Sequence, residues 1–410
     1  MAKVTIIGAG QSGLQLAVGL VDAGYDVTVV SDRRPEEIRD ARVTSSQCMF
    51  PNALDHERAL GINFWDESCP PVDGISLQVP HPEIPGAKAI EWAARLDRPA
   101  QSVDQRIKFP RWMEHFESIG GRLVFASATV ADLDRYGADS DLVVVASGKG
   151  ELGRLFERDA VRSQFDRPMR SLALTYVNGL EPRPEFSAVC FNIIPGVGEY
   201  FVFPAETVAG GCEIMVFEGV PGGPMDCWGD VSSPSDHLAR SKWILDTFLP
   251  WEGARAKAVE LTDANGILTG SFAPTVRRAA ATTPGGTLVL GLADAILLND
   301  PITGQGSNNA SKGAAVYLRR ILERGEGPFD EAWMLETFEQ LWDYAEKVVG
   351  WTNALLVPPP EHVLNLLGAA GQHPAIAKRF VDGFDDPTDF ENWFMDPAKA
   401  DAYLAEVAAA

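Results

Sequence analysis

The chain has 410 residues, with 35 Lys and Arg against 57 Asp and Glu, a formal net charge of −22 at neutral pH. A chain this acidic, with no basic run longer than a pair, repels phosphate backbones and anionic bilayers, so no nucleic acid and no membrane are expected as partners. At 46% apolar and 22% charged residues it has the composition of a folded globule long enough for two or three domains, which excludes disorder. Its five cysteines form no CxxC and no pairing pattern, which suits a reducing cytosol, and a cytoplasmic location is expected. Six scattered histidines give no ligand spacing, so no metal is expected. The apolar stretch from Val4 to Leu20 is broken by Gly8, Gly10 and Gly13, unlike a signal segment.

In chain order, Lys3 to Ile7 predicts a buried parallel strand. Leu14, Leu16, Ala17, Leu20 and Val21 then recur at helical spacing up to Gly24, and Asp26 to Val30 predicts a second strand. Between the first strand and the helix stands Gly8-Ala9-Gly10-Gln11-Ser12-Gly13, so the glycine loop sits in a dinucleotide-binding βαβ unit. The first glycine makes the turn, the second admits the pyrophosphate and the third lets helix and strand pack. The pyrophosphate is expected on the helix N-terminus, over Gly10, Gln11, Ser12 and Gly13. The acceptor for the adenosine ribose should close the second strand, where Ser31 precedes Asp32, and either fits.

Leu142 to Ala146 predicts another strand, followed by Gly148-Lys149-Gly150-Glu151-Leu152-Gly153, which also fits GxGxxG. Arg154 to Arg162 after it is short and charged, with no returning strand. The cluster therefore reads as a turn closing the first Rossmann half, with Gly148 near the cofactor. From Arg170 to Val220 strand-like runs alternate with glycine turns, ending at Pro221-Gly222-Gly223-Pro224, and predict an antiparallel sheet. Asp236 to Phe248 predicts a helix. Thr287 to Asp294 is a buried strand ending in an acid; Asp300 to Asn309 follows, and Ala310, Ala314, Ala315, Leu318 and Ile321 line one side of a helix. Phe329 to Val357 predicts a helix with an aromatic stripe, read as core or a docking face, and the last ten residues predict a helix or a frayed end.

A strand ending in Asp294, then Pro301-Ile302-Thr303-Gly304-Gln305-Gly306 opening a helix, resembles the second flavin signature of the aromatic-hydroxylase-like FAD monooxygenases. The resemblance implies an α/β fold: a Rossmann-like FAD-binding domain of the aromatic-hydroxylase type, an antiparallel-sheet substrate domain and a helical C-terminus. The expected parts are 1–164 for FAD, containing a pocket segment 43–100, then 165–275 for substrate, 276–328 for FAD again and 329–410 for the C-terminal helices. It also implies Asp294 on the ribityl hydroxyls, and Pro301, Gly304, Gln305, Gly306, Ser307 and Asn308 against the pyrimidine edge of the ring. Ala293 stands where that family usually has Gly. Arg42, about ten residues after the second strand, takes the place of an arginine near the flavin, with a surface ion pair as the alternative.

The motif that serves both FAD and NADPH in single-component hydroxylases is missing from Asp141 to Lys149, and the WxWxIP motif and early lysine of the halogenases are absent too. Asp32-Arg33-Arg34-Pro35, Val103-Asp104-Gln105-Arg106, Ala146-Ser147-Gly148-Lys149 and Asp300 to Gly306 are similar, in register, to the two-component styrene and indole monooxygenases. That likeness adds Arg33 to the cofactor residues. It implies reduced FAD as co-substrate, delivered by a separate NAD(P)H:flavin reductase, and O2 as oxidant. At the positions where the two types differ, this chain has Ser45, Gln47 and Met49, then Val72 and Ile75, then Ala100, all on the indole side. The first three alternate as on a strand and so are expected on one pocket wall.

The expected reaction is epoxidation of indole at its 2,3 double bond through a flavin C4a-hydroperoxide, leading to indoxyl and indigo. Met49, Val72, Ile75 and Ala100 would form an apolar slot, and Ser45 or Gln47 would accept the indole N–H. Such chemistry needs no acid–base dyad, and none is evident in the sequence. The alternatives are a styrene epoxidase of the same family, a single-component NAD(P)H-dependent hydroxylase using Gly148 to Gly153, and a non-catalytic flavin escort. A homodimer stays open.

Overall fold

The computed structural model describes residues 2–148 and 150–409. Two sheets carry the fold. The first has six strands in the order Ala280–Thr282, Leu288–Gly291, Leu142–Val145, Lys3–Ile7, Asp26–Ser31 and Arg122–Phe125. All its neighbours run parallel except Ala280–Thr282, which returns antiparallel at the edge. Val4, Ile6, Val29 and Val144 are fully buried in it, as β-branched runs covered on both faces require. The helix Gln11–Asp22 follows the first strand and packs along the helix Gly306–Arg324.

The second sheet has eight strands. Its main path runs Glu260–Leu261, Ser171–Asn178, Gly210–Gly219, Gly198–Thr207, Ala188–Ile194, Val72–Pro80 and Lys88–Ala100, with Ile267–Gly270 also pairing Ser171–Asn178. It departs from a purely antiparallel sheet at one seam, where Val72–Pro80 and Ala188–Ile194 run parallel. That seam stitches two strands from the N-terminal quarter of the chain into a sheet otherwise built from residues 171–270.

Alternation along these strands gives the sheet two apolar faces. Ala173, Cys190, Tyr200, Val202, Met215 and Phe217 pack under the helices Pro234–Phe248 and Pro250–Arg255. Leu174, Tyr176, Phe191, Phe201, Phe203 and Ile214 face a second core with the C-terminal helices. The 25-residue helix Glu331–Leu355 spans both halves of the molecule. Trp333, Phe338 and Leu341 join the core of the first sheet, while Trp351 reaches that of the second. The aromatic stripe is thus largely core. The C-terminal residues Pro397–Ala409 are helical. Among the described residues no helix is long and apolar enough to cross a membrane, and no group of His, Cys, Asp and Glu is placed to hold a metal.

Candidate active site

Three loops meet at the carboxyl ends of the parallel strands, where open α/β sheets bind nucleotides. Gly8 has φ +117°, and a Cβ there would lie 2.9 Å from Ala146 O. A Cβ on Gly13 would come within 2.0 Å of Gly8 O, so that position requires glycine for packing. A Cβ on Gly10 would meet nothing within 4 Å. The three glycines thus divide into a turn, an open face and a close contact. No side chain caps the helix that starts at Gln11, so its N-terminal amides are left for another acceptor. The side chains of this loop turn inward: Gln11 Nε2 donates to Glu57 Oε1 at 2.8 Å, and Lys108 Nζ reaches the same oxygen at 2.5 Å. Ser12 is buried. At the end of the second strand the Ser31 hydroxyl donates to Arg33 O at 2.6 Å, which leaves Asp32 as the exposed acid, 3.7 Å from the Arg33 guanidinium.

Gly148 packs on the third loop; a Cβ there would stand 2.5 Å from Asp294 O. Lys149 lies outside the described residues. Gly150–Arg154 is a single short helix, and the next strand, Ser171–Asn178, joins the other sheet. The second glycine cluster therefore closes the first domain's turn and opens no second nucleotide fold.

Asp294 sits in a one-turn 3-10 helix after the strand Leu288–Gly291. Ala293 beside it has φ +52°, the only positive φ at a described non-glycine residue. A left-handed backbone is what would favour the glycine that the resemblance implies there. Arg277, absent from the sequence reading, donates to Asp294 O and Ala295 O at 3.3 Å. Burial lowers its guanidinium's pKa and the Asp294 carboxylate opposes the shift. No motif marks this arginine; antiparallel pairing of Thr275–Val276 with Leu297–Leu298 brings it there.

In the loop from Asp300, Gly304 is left-handed at φ +64°, and a Cβ on Gly304 or Gly306 would meet nothing within 4 Å. The helix Gly306–Arg324 also starts without a side-chain cap. Pro301 and Ser307 are half-buried at its mouth. Gln305 and Asn308, expected on the cofactor, turn their side chains into the protein. Gln305 Nε2 donates to Phe384 O at 2.9 Å. Asn308 accepts from Phe50 N at 2.8 Å and donates to Cys48 O and Gly304 O, each at 2.9 Å. They therefore shape the loop, within which Gly304 N donates to Pro301 O at 2.7 Å. Both carboxamide atoms of Asn309 are buried without a partner. Lys312, one turn on, has its ammonium pKa pushed down to about 8 by burial, against the pull of Asp385 and Asp386.

The six pocket positions do not form one group. Val72 and Ala100 pair directly across two strands, and a bulge between Val72 and Gly74 brings Ile75, three residues on, into the same core. Residues 42–48 are not a strand. Met49 alone forms a bridge, to Gln101, which puts its side chain on the face opposite Ala100, in a small cluster with Ala53 and Leu54. Ser45 Oγ donates to Ser46 O at 3.0 Å, and its carbonyl accepts from the Tyr176 hydroxyl at 2.9 Å. Gln47 is buried beside Tyr176 and donates Nε2 to Val103 O, which fixes the orientation of its amide and leaves Oε1 buried with no donor. Arg42 is exposed and, among the described residues, makes no ion pair.

Val103 to Arg106 clamps the two sheets together. Arg106 binds Asp104 at 2.8 Å, both oxygens of Asp263 at 3.0 Å and Thr207 at 3.0 Å, while Asp104 caps the helix Gln105–Ser118. The open glycines Gly10, Gly304 and Gly306, two uncapped helix N-termini and the unpartnered Asn309 carboxamide fit a flavin nucleotide laid between the loops.

Comparisons with known proteins agree. Residues 148–255 match the model of the styrene monooxygenase A putative substrate binding domain, and residues 3–55 that of the coenzyme F420-dependent NADP oxidoreductases, which spans the βαβ unit. The chain is 28% identical over 407 residues to styrene monooxygenase StyA of Pseudomonas fluorescens, covering 97% of this chain and 96% of that protein. It is 28% identical over 416 residues to styrene monooxygenase StyA of a Pseudomonas species, covering 99% and 98%. Among solved structures, the flavin-dependent brominase Bmp2 superposes with a TM-score of 0.73 at 15% identity, over 100% of this chain and 99% of that one. The 2-methyl-3-hydroxypyridine-5-carboxylic acid oxygenase does so at 0.60 and 14%, over 92% and 93%; both likenesses concern the fold. With its two glycine turns and uncapped helices, the chain has the fold of the flavin-dependent halogenases and hydroxylases and is similar over nearly its whole length to the styrene monooxygenases StyA.

Proposed function

We propose that the chain is the oxygenase of a two-component system that takes reduced FAD from a separate NAD(P)H:flavin reductase and, with O2, epoxidises indole at the 2,3 double bond. Reduced FAD and O2 supply the oxygen-transfer chemistry; the chain binds, orients and excludes water. In this reading the amides of Gly10 to Gly13 hold the pyrophosphate, Asp32 the adenosine ribose and Asp294 the ribityl chain. The open faces of Gly304 and Gly306 and the amides from Gln305 to Asn308 take the pyrimidine edge, where a helix dipole favours negative charge. Arg42, without a carboxylate partner, is left to face the cofactor. Val72, Ile75 and Ala100 keep water from the reacting face.

The observation that carries the indole reading is Gln47 Oε1, a buried acceptor without a donor beside a fixed Nε2. An indole N–H satisfies it, and a vinylbenzene has nothing to offer. Styrene is the second reading, favoured by the names of the relatives. Turnover of the two compounds with FAD, NADH and a flavin reductase decides between them. Indole should be the faster substrate, and Gln47→Val should lower kcat/KM for indole by about 5- to 150-fold, the equivalent of ~1–3 kcal/mol, and leave styrene nearly unchanged. Equal or faster turnover of styrene by the wild-type chain overturns the indole assignment. Oxidation of NADH or NADPH by the chain alone overturns the two-component one.

A further inference from the structure

The strand Gly210–Gly219 ends beneath the flavin loop, and there four charged side chains meet in the interior: Arg170, Glu199, Glu218 and Asp300. Arg170 is fully used. Its Nε and Nη2 bind the two oxygens of Glu199 at 2.6 and 2.9 Å, and Nη1 donates to Met169 O and Leu356 O. One guanidinium therefore neutralises one of three carboxyls. Asp300 accepts from Ile302 N at 3.1 Å, which closes the turn opening the loop to Gly304 and Gly306. Glu218 is fully buried and neither of its oxygens meets a donor, yet its carboxyl lies in hydrogen-bonding reach of Asp300. Two carboxylates in contact inside a protein are tolerated when they share a proton.

We infer that Glu218 is a positioning residue that stands as a neutral acid, donates its proton to Asp300 and thereby holds the Asp300–Gly306 turn in the shape that receives the flavin. The shared proton also removes one negative charge from beneath a site built for an anionic cofactor. If it is lost, the two carboxylates repel, and Asp300 is pushed from Ile302. Burial raises the Glu218 pKa, as do the neighbouring Asp300 and Glu199, and the Arg170 guanidinium opposes them. Asp300 is raised by burial as well. The sign follows: a proton held in the folded, flavin-ready state is lost as pH rises, so affinity for FAD falls on the alkaline side. The inference rests on the flavin reading of the loop.

The test is FAD affinity, read by flavin fluorescence from about pH 5 to about pH 9, for the full chain and for Glu218→Gln and Asp300→Asn. Wild-type affinity should weaken with rising pH, by up to about tenfold per pH unit once the pair ionises. Glu218→Gln, whose amide donates without titrating, should keep the low-pH affinity and lose the slope, and Asp300→Asn should flatten it too. A wild-type profile without slope, or a Glu218→Gln profile with the wild-type slope, overturns the inference. Hydrogen exchange of the Ile302 to Gly306 amides in FAD-free protein separates the two readings. Alkaline loosening, beyond intrinsic exchange, in wild type and not in Glu218→Gln supports the pair even if FAD fails to bind; equal behaviour overturns it. Failure to bind FAD at every pH overturns the flavin reading alone.

Discussion

The two loops that lead into uncapped helices, Gly8 to Gly13 and Asp300 to Gly306, do the same job by different means. The first is held by absence: Gly8 and Gly13 fit because their missing Cβ atoms let backbone touch backbone. The second is held by buried polar side chains that reach remote parts of the chain. Asn308 ties it to Cys48 and Phe50, Gln305 to Phe384, Thr303 to Thr352 at 2.7 Å and, in the inference above, Asp300 to Glu218. A loop held by steric fit is insensitive to pH and intolerant of any added atom. A loop held by polar contacts tolerates small changes in volume and responds to charge.

The sharpest way to break the first loop is Gly13→Ala, whose Cβ would collide with Gly8 O. We expect a loss of roughly 2–3 kcal/mol in stability, measured by denaturant unfolding, together with loss of FAD binding. Gly10→Ala is the control that sharpens the comparison: with open space around its Cβ, stability should change by less than about 0.5 kcal/mol while FAD affinity falls. In the second loop, Asn308→Ala leaves Phe50 N and Cys48 O without partners. A loss of about 2 kcal/mol is expected, with weaker FAD binding that added volume at position 308 does not restore. The smallest effect runs the other way. Ala293→Gly relieves a left-handed backbone and should raise stability by up to about 1 kcal/mol, seen as a higher Tm. A drop in Tm would show that Ala293 is not strained.

How far the sequence was legible differs in the same way. Strand, glycine loop, helix and strand from Lys3 to Ser31 are read directly, because each contact there lies within thirty residues and follows from residue type. Asp294 and the Pro301 to Gly306 turn are legible by resemblance, and the departure at Ala293 is visible before its φ is known. The expected antiparallel sheet is there, but its parallel seam at Val72–Pro80 is invisible in local alternation, since pairing partners more than a hundred residues away decide it. The same distance hides the pocket's arrangement. Ser45, Gln47 and Met49 alternate in sequence, yet the bridge to Gln101 turns Met49 away from Ala100, and a bulge unites Val72 with Ile75. Glu218 and Asp300 lie 82 residues apart and come together only when strand and loop meet, so their proximity is not legible in the sequence.

By itself the sequence determined a nucleotide-binding α/β chain with a flavin-type second motif, and a charge of −22 that any bound polyanion must overcome. The tertiary structure decided what could offset that charge: the helices after both loops start uncapped, Gly10, Gly304 and Gly306 stay open, and a buried carboxyl, Glu218, lies beside Asp300. Glycine turns and helix starts follow from short-range sterics. Which buried polar groups find partners is fixed by packing between distant segments, and no local pattern encodes it.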